Sequence, residues 1–399
     1  MQKDPDKSST PLRLPCWSRQ FRFSTQDIQY PTNVSEVVSI VQNAKGKVRV
    51  LGTGHSFNKI ADSEDTLLSI VFLNQILKFD KSVPSVTVEA GVSYGALMNY
   101  LDKKGFRLAN NPGANDISVV GATQTGTHGS GIAIGNVATQ IRSLQIVLPS
   151  GDVATYTKQD PELKAMALGL GLFGVITQVE LDVLPIYKYV EHIFMGLPEK
   201  ELFEHFNEIQ EIGQCMSLFT NFEDPSVWTH FWIRMPADHD TIGDVPELFG
   251  AKRATSPVHL GDVQGAAEWK IPYELAVDAL KALSKCEKIR SLIKAIGLRG
   301  TESDDMWMSP SYGIRIISLE VFWATKDLGV IDLTEAIKMI DQLMKPFNVR
   351  PHWGKAFCLE PSYYLKYFPK HKEFIELADK LDPEKKFRNE FVNKNIFSE

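Results

Sequence analysis

The sequence predicts an α+β chain of two or three domains, and three observations lead to that expectation. Helix-period and strand-period stretches alternate from about Phe23 to Leu184. Amphipathic, aromatic-rich strands then dominate from Pro185 to about Arg350, marked by Trp228, Phe231, Trp232, Trp269, Trp307, Phe322 and Trp323. A length of 399 residues is more than one domain of about 150 residues would take.

The elements follow in order. Asn33 and Glu36 have the spacing of a capping box, and Val34, Val37, Val38, Val41 and Ala44 line one face of the helix they open. Gly46 stands where a left-handed C-terminal cap belongs. Lys47 to Leu51 reads as a strand that ends in the abrupt turn Gly52-Thr53-Gly54. Ser85 to Ala90 alternates as a strand, and Tyr94 to Lys104 reads as a helix closed by Gly105. Leu144–Leu148 and Asp152–Thr157 flank Pro149-Ser150-Gly151, a hairpin signal. Later helices are expected over Tyr273 to Ala282 and Lys372 to Leu381, the second stopped by Asp382-Pro383. Met1 to Cys16 reads as a flexible tail.

Composition narrows the functional classes. Lys and Arg number 43 against 49 Asp and Glu, a net charge of −6, without the basic excess of a general nucleic-acid binder. Cys16, Cys215, Cys286 and Cys358 form no CxxC pair, so neither a disulfide framework nor a zinc site is expected. No stretch approaches the roughly 18 apolar residues of a membrane span, and the N-terminus lacks an apolar signal core. The expectation is a soluble cytoplasmic protein with no metal.

Six glycines fall between Gly113 and Gly135, in 23 residues. A stretch so poor in side chains does not serve packing. It serves close backbone approach to something, with free N–H groups turned outward. Two segments carry the pattern: Val50-Leu-Gly-Thr-Gly-His-Ser-Phe57 and Ile117-Ser-Val-Val-Gly-Ala-Thr-Gln-Thr-Gly-Thr-His-Gly-Ser-Gly131. Both offer backbone and hydroxyl donors for an anionic group such as a pyrophosphate. Neither fits GxGxxG, because Phe57 takes the third glycine position, so a Rossmann site is not expected.

Together, in this order and about 65 residues apart, these segments resemble the flavin domain of the vanillyl-alcohol oxidase superfamily. Asp304-Asp-Met-Trp-Met-Ser-Pro310, Arg350-Pro-His-Trp-Gly-Lys355 and Leu381-Asp-Pro383 with Phe387 and Phe391 are similar to the aldonolactone and alditol (xylitol) oxidase family, as is Gly169-Leu-Gly-Leu-Phe-Gly-Val-Ile176. The resemblance implies a PCMH-type FAD-binding domain of two α/β subdomains over residues 17–184. It implies a cap of antiparallel sheet plus helices over 185–350, and a segment 351–399 that returns to the flavin domain. It implies FAD attached covalently through His55. It also implies cofactor contacts from Gly52, Thr53, Gly54, Ser56, Gly121, Thr125, Gly126, Thr127, His128, Gly129 and Ile176. His128 is read as a loop-structuring or phosphate-side residue.

For the reaction, the resemblance implies Arg299 and Lys355 as the cations facing developing alkoxide charge. Three positions depart from the family pattern. Its Glu two residues before the Arg is Gly297 here, its His-x-Thr-Trp becomes Glu320-Val-Phe322-Trp323, and a Ser of the flavin loop is Ala122. Glu320 is therefore expected to replace the missing acid or the missing His. The implied activity is oxidation of a CH–OH group in a small aldonolactone, polyol or sugar-derived molecule, with O2 as acceptor and H2O2 as by-product. Amine oxidation or oxidative cyclisation on the same fold, and flavin binding without turnover, are the alternatives.

Overall fold

The computed structural model describes residues 13–255, 265–323 and 333–398. Three short parallel strands come first, β1 (Asp27–Gln29), β2 (Val48–Leu51) and β3 (Thr66–Ser69), in the order β1-β3-β2. A second, antiparallel sheet follows: β4 (Ile76–Asp80), β5 (Ser85–Glu89) and, past the short β6 (Phe106–Arg107), β7 (Ile141–Val147), β8 (Val153–Thr157) and β9 (Val175–Asp182). Its order is β4-β5-β9-β7-β8, while β6 pairs with β10 (Leu184–Pro185). These two sheets and their helices are the FAD-binding-domain architecture that the sequence predicts.

Local chemistry explains the elements. Helix α1 (Val34–Asn43) opens on Asn33, whose side chain accepts from the Glu36 N–H, and Glu36 answers by accepting from the Thr32 N–H at 2.7 Å. Val37 and Val41 are its buried face. Its end differs from expectation. Ala44 caps it in an extended conformation, and Gly46 is required instead by close approach, since a Cβ there would lie 2.2 Å from the Asp65 carboxylate. Helix α2 (Tyr94–Lys104) ends as expected, on Gly105 at φ 76°. The β7–β8 hairpin turns at Gly151, φ 92°.

The N-terminal reading needs a correction at its edge. Residues 1–12 lie outside the described residues, but Leu14 and Cys16 are held. The Phe23 N–H donates to the Leu14 carbonyl, the Cys16 N–H donates to the Phe21 carbonyl, and Cys16 is buried with Phe23, Leu51 and Leu67. Apolar burial fixes a segment whose composition reads as a tail.

The chain then builds one large antiparallel sheet: β11 (Tyr189–Pro198), β12 (Cys215–Thr220), β13 (Val227–Pro236), β14 (Glu247–Leu248), β15 (Ala251–Ala254), β16 (Gly265–Pro272), β17 (Ala295–Thr301), β18 (Ile316–Trp323) and β19 (Arg350–Pro351). Its order is β14-β15-β11-β13-β12-β17-β18-β16-β19. The helices Ala276–Lys285 and Leu333–Met344 pack with β16 and with each other. After the helix His371–Leu381, the Asp382 carboxylate accepts from the N–H groups of Lys386 and Phe387, turning the chain sharply. The Lys386 carbonyl then accepts from the Val48 N–H of β2, and the Asn389 side chain donates to the carbonyls of Lys59, Ile60 and Asp62. The last residues are thus built into the first domain.

Candidate active site

A cavity of about 410 Å³ opens between the two glycine segments and the cap sheet. Twelve of the fifteen residues singled out from the sequence line it: Gly52, Thr53, Gly54, His55, Ser56, Gly121, Thr125, Thr127, His128, Arg299, Glu320 and Lys355. The other three do not. A Cβ on Gly126 would meet Leu168, and one on Gly129 would lie 2.0 Å from Asn110 Oδ1, so both positions exclude a side chain. Ile176 is buried in β9 opposite Ile146.

The flavin-side wall is tied together locally. The Ser118 N–H donates to Thr53 Oγ1 at 3.2 Å, which joins the two glycine segments. A Cβ on Gly52 or on Gly121 would lie 2.4 or 2.6 Å from Ser118 Oγ, so both positions exclude a side chain. That Ser118 hydroxyl is itself buried and without a hydrogen-bond partner among the described residues. A buried hydroxyl left unpaired costs about 1–3 kcal/mol. Here it sits at the floor of a glycine-lined cleft, a donor set that suits the phosphate oxygens of a dinucleotide. The residues present fit FAD.

His55 stands at one end of this wall. Its imidazole stacks on the Trp17 indole, with centroids 4.7 Å apart, and its Nε2 lies 3.1 Å from Asp116 Oδ2 without the alignment of a hydrogen bond. Burial lowers its pKa and outweighs the pull of Asp116, so the ring is neutral.

The cap side holds the charges. Glu320 is 6% exposed, and each of its oxygens meets one cation: Oε1 lies 2.6 Å from Lys355 Nζ, and Oε2 lies 3.1 Å from Arg299 Nη1. Burial alone would raise the pKa of this carboxyl. Lys355 and Arg299 together outweigh burial and hold it below the ordinary carboxylate range. Lys355 is aimed by its own segment, because the Phe57 N–H donates to the Gly354 carbonyl and the Asn58 side chain donates to the carbonyls of Trp353 and Lys355.

Strand register explains the departures noted in the sequence. Gly297 of β17 lies directly opposite Glu320 of β18. The acid absent from one strand stands on its neighbour, at the same rung. The space beside Gly297 is filled by the Phe219 ring, 2.9 Å from where a Cβ would be, and Phe322 and Ala122 add apolar surface to the cavity wall.

Two buried titratable groups on the cap side of the cavity escaped the sequence reading, Glu268 and His352. His352 belongs to the Pro-His-Trp-Gly-Lys segment, and its buried Nδ1 accepts from the Gly354 N–H. Glu268 could have been found from its strand, where Glu and Lys interrupt an otherwise apolar Gly-Ala-Ala-Glu-Trp-Lys-Ile-Pro. His128 joins its own loop to the cap. Its ring nitrogens face Gly129, Thr301, Glu268, Lys270 and Ser318, mostly cap residues and no loop hydroxyl.

Comparison with known proteins agrees with this geometry. Residues 27–157 match the family model described as an FAD binding domain, and residues 262–395 match that of D-arabinono-1,4-lactone oxidase. The chain resembles the aldonolactone and alditol oxidases, and it is an FAD-dependent oxidase or dehydrogenase acting on CH–OH groups. Among its relatives, alditol oxidase of a Streptomyces species is 26% identical, covering 94% of this chain and 97% of that one. L-gulonolactone oxidase of Mus musculus is 27% identical over 96% and 97%. L-gulono-1,4-lactone dehydrogenase of Mycobacterium tuberculosis is 25% identical over 91% and 94%. The fold of this oxidoreductase is also that of cholesterol oxidase from B. sterolicum, with a TM-score of 0.78 at 16% identity and 96% of each chain covered. Among the described residues of the flavoenzyme, no helix is long and apolar enough to cross a membrane.

Proposed function

We propose that this flavoenzyme oxidises the carbinol of a small aldonolactone, polyol or related sugar-derived substrate, with O2 as electron acceptor and FAD held covalently by His55. The carrying observation is the Glu320–Arg299–Lys355 cluster in the same cavity as the glycine cleft and His55. Bound FAD supplies a two-electron acceptor for the hydrogen leaving the carbinol carbon. Glu320, ionised at neutral pH, takes the hydroxyl proton at a carboxylate oxygen. Arg299 and Lys355 supply positive charge where the oxygen becomes anionic. His55, neutral and clamped between Trp17 and Asp116, keeps a nitrogen lone pair available for attachment to the cofactor. The relatives' printed names, oxidases and dehydrogenases of alditols and aldonolactones, support the substrate class.

Two measurements test the reading. Acid-precipitated, washed protein should keep its yellow colour, and His55→Ala should release the flavin into the supernatant; colour lost from the parent protein removes the covalent link. Under anaerobic conditions, polyols or aldonolactones should bleach the flavin, with Glu320→Gln slower by about 10²-fold. A change of only a few-fold would remove Glu320 as the base. A second reading, amine oxidation, is favoured by the buried carboxylate at the rung of Gly297 and by the apolar Phe322 and Ala122, which offer polyol hydroxyls no partner. Bleaching by amino-sugars alone would establish it.

A further inference from the structure

Strand β16 carries two charges through the interior. Glu268 is 3% exposed and Lys270 1%, and their spacing of two places both on one sheet face. Trp269 between them points the other way and donates to Asp341 Oδ1 at 2.7 Å. A lysine this buried persists only where its ammonium is fully partnered. All three donors are used: Lys270 Nζ meets Glu268 Oε1, His128 Nε2 and, at 2.6 Å, Ser318 Oγ. His128 Nδ1 lies 2.8 Å from the Gly129 carbonyl, and its Nε2 faces Glu268 Oε1 at 2.7 Å as well as the ammonium.

Register connects this group to the reaction site. Glu268 lies directly opposite Glu320, and Lys270 lies opposite Ser318, which in turn lies opposite Arg299. Glu268 and His128 line the cavity, and Lys270 stands behind them. The charged and titratable groups around Lys270 are Glu268 on its own strand, Glu320 on β18, Arg299 on β17, His128 from the second glycine segment, and His352 and Lys355 from the segment after β19. Two carboxylates and three cations leave one net positive charge. Without the Lys270 proton the net charge is zero, and two carboxylates then face each other across one rung with a single pair of cations between them.

We propose that Lys270 is a positioning residue of the active site, acting through Glu268 to keep the Glu320–Arg299–Lys355 cluster net cationic where substrate oxygen turns anionic. The proposal rests on the alcohol-oxidation reading above. Burial pushes the Lys270 ammonium down to about 8, against the pull of Glu268 and Glu320, so its charge is lost within an accessible pH range.

The test uses the FAD-loaded protein, Lys270→Met, and the double variant Lys270→Met/Glu268→Gln, which removes both charges of the pair. Anaerobic flavin reduction by the best substrate of the panel should fall about tenfold in the parent between pH 7 and 10. Lys270→Met should already be about tenfold slow at pH 7 and show no alkaline limb. The double variant should recover most of that loss, also without the limb. An alkaline limb that persists in Lys270→Met, or a double variant no faster than the single one, overturns the proposal. A second readout needs no turnover. A lysine of lowered pKa makes the folded state bind fewer protons than the unfolded one from about pH 8 to 10.5, so the parent gains stability as pH rises through that window. The difference in Tm, variant minus parent, should therefore fall between pH 8 and 10. A difference independent of pH overturns the proposal. If no alcohol bleaches the flavin at any pH while the Tm difference behaves as stated, the function reading has failed and the placement of the charge has not.

Discussion

Glu320 sets the acid side of the pH profile of the proposed chemistry. Its folded-state pKa is held down by Lys355 and Arg299 against burial, so the base is available at every pH above that value and is lost only as pH falls through it. The acid limb of anaerobic flavin reduction should consequently lie below the ordinary carboxylate value of about 4.3. Lys355→Met removes the first of the two opposing cations and leaves the burial, so the limb should move upward by a pH unit or more, which a stopped-flow pH series would show. A limb unmoved by that substitution would mean Glu320 does not govern the rate. At this scale the resemblance carried by Gly-His-Ser, the Thr-Gly-Thr-His-Gly-Ser-Gly loop and Pro-His-Trp-Gly-Lys implied which residues converge. It did not show Glu268, whose partners His128 and Lys270 lie 140 and two residues away in the chain. Burial of a charge is a property of the packed sheet, and no local pattern encodes which loop will cover it.

The β17–β18 pair determines which single substitutions the site accepts. Restoring an acid at Gly297 looks conservative in sequence, but a Cβ there stands 2.9 Å from the Phe219 ring and faces Glu320 across the rung. Gly297→Glu should cost about 1–3 kcal/mol of stability by overpacking, and it should not raise the rate of flavin reduction. Denaturant unfolding and rapid-mixing kinetics would check both halves. Full stability with a faster rate would mean that Phe219 yields readily. Elements with a strong local signature were legible: α1 through its capping pair, α2 through Gly105, and the β7–β8 hairpin through Gly151. The end of α1 was not, because Gly46 answers to the Asp65 carboxylate 19 residues further on rather than to helix geometry.

At the scale of the molecule, the C-terminal residues belong to the first domain. Arg49 is buried and donates to the carbonyls of Ile60, Leu170, Gly171 and Phe387, with no carboxylate among those partners. Ending the chain after Leu381 removes the Phe387 and Lys386 carbonyls and the Asn389 side chain together. Each buried group left unpaired costs about 1–3 kcal/mol, against a usual margin of about 5–15. The shortened chain should melt far below the parent and purify without FAD, as a thermal scan and a flavin-to-protein absorbance ratio would report; normal FAD content would show the segment to be dispensable. The two-part division of the sheets was legible from the change in pattern at Pro185. The return of the chain was legible only through resemblance, because bonds between residues 48 and 386 leave no periodic trace. That return also orders events in time. A domain whose edge is supplied by residues more than 300 positions further on has contacts of very high sequence separation, which form slowly and late. On the ribosome, the strands near the glycine cleft emerge hundreds of residues before Lys386 and Phe387 are made. The Val48 N–H and the Arg49 guanidinium therefore wait for those two carbonyls, and this edge of the first sheet closes only after the whole cap sheet has been made.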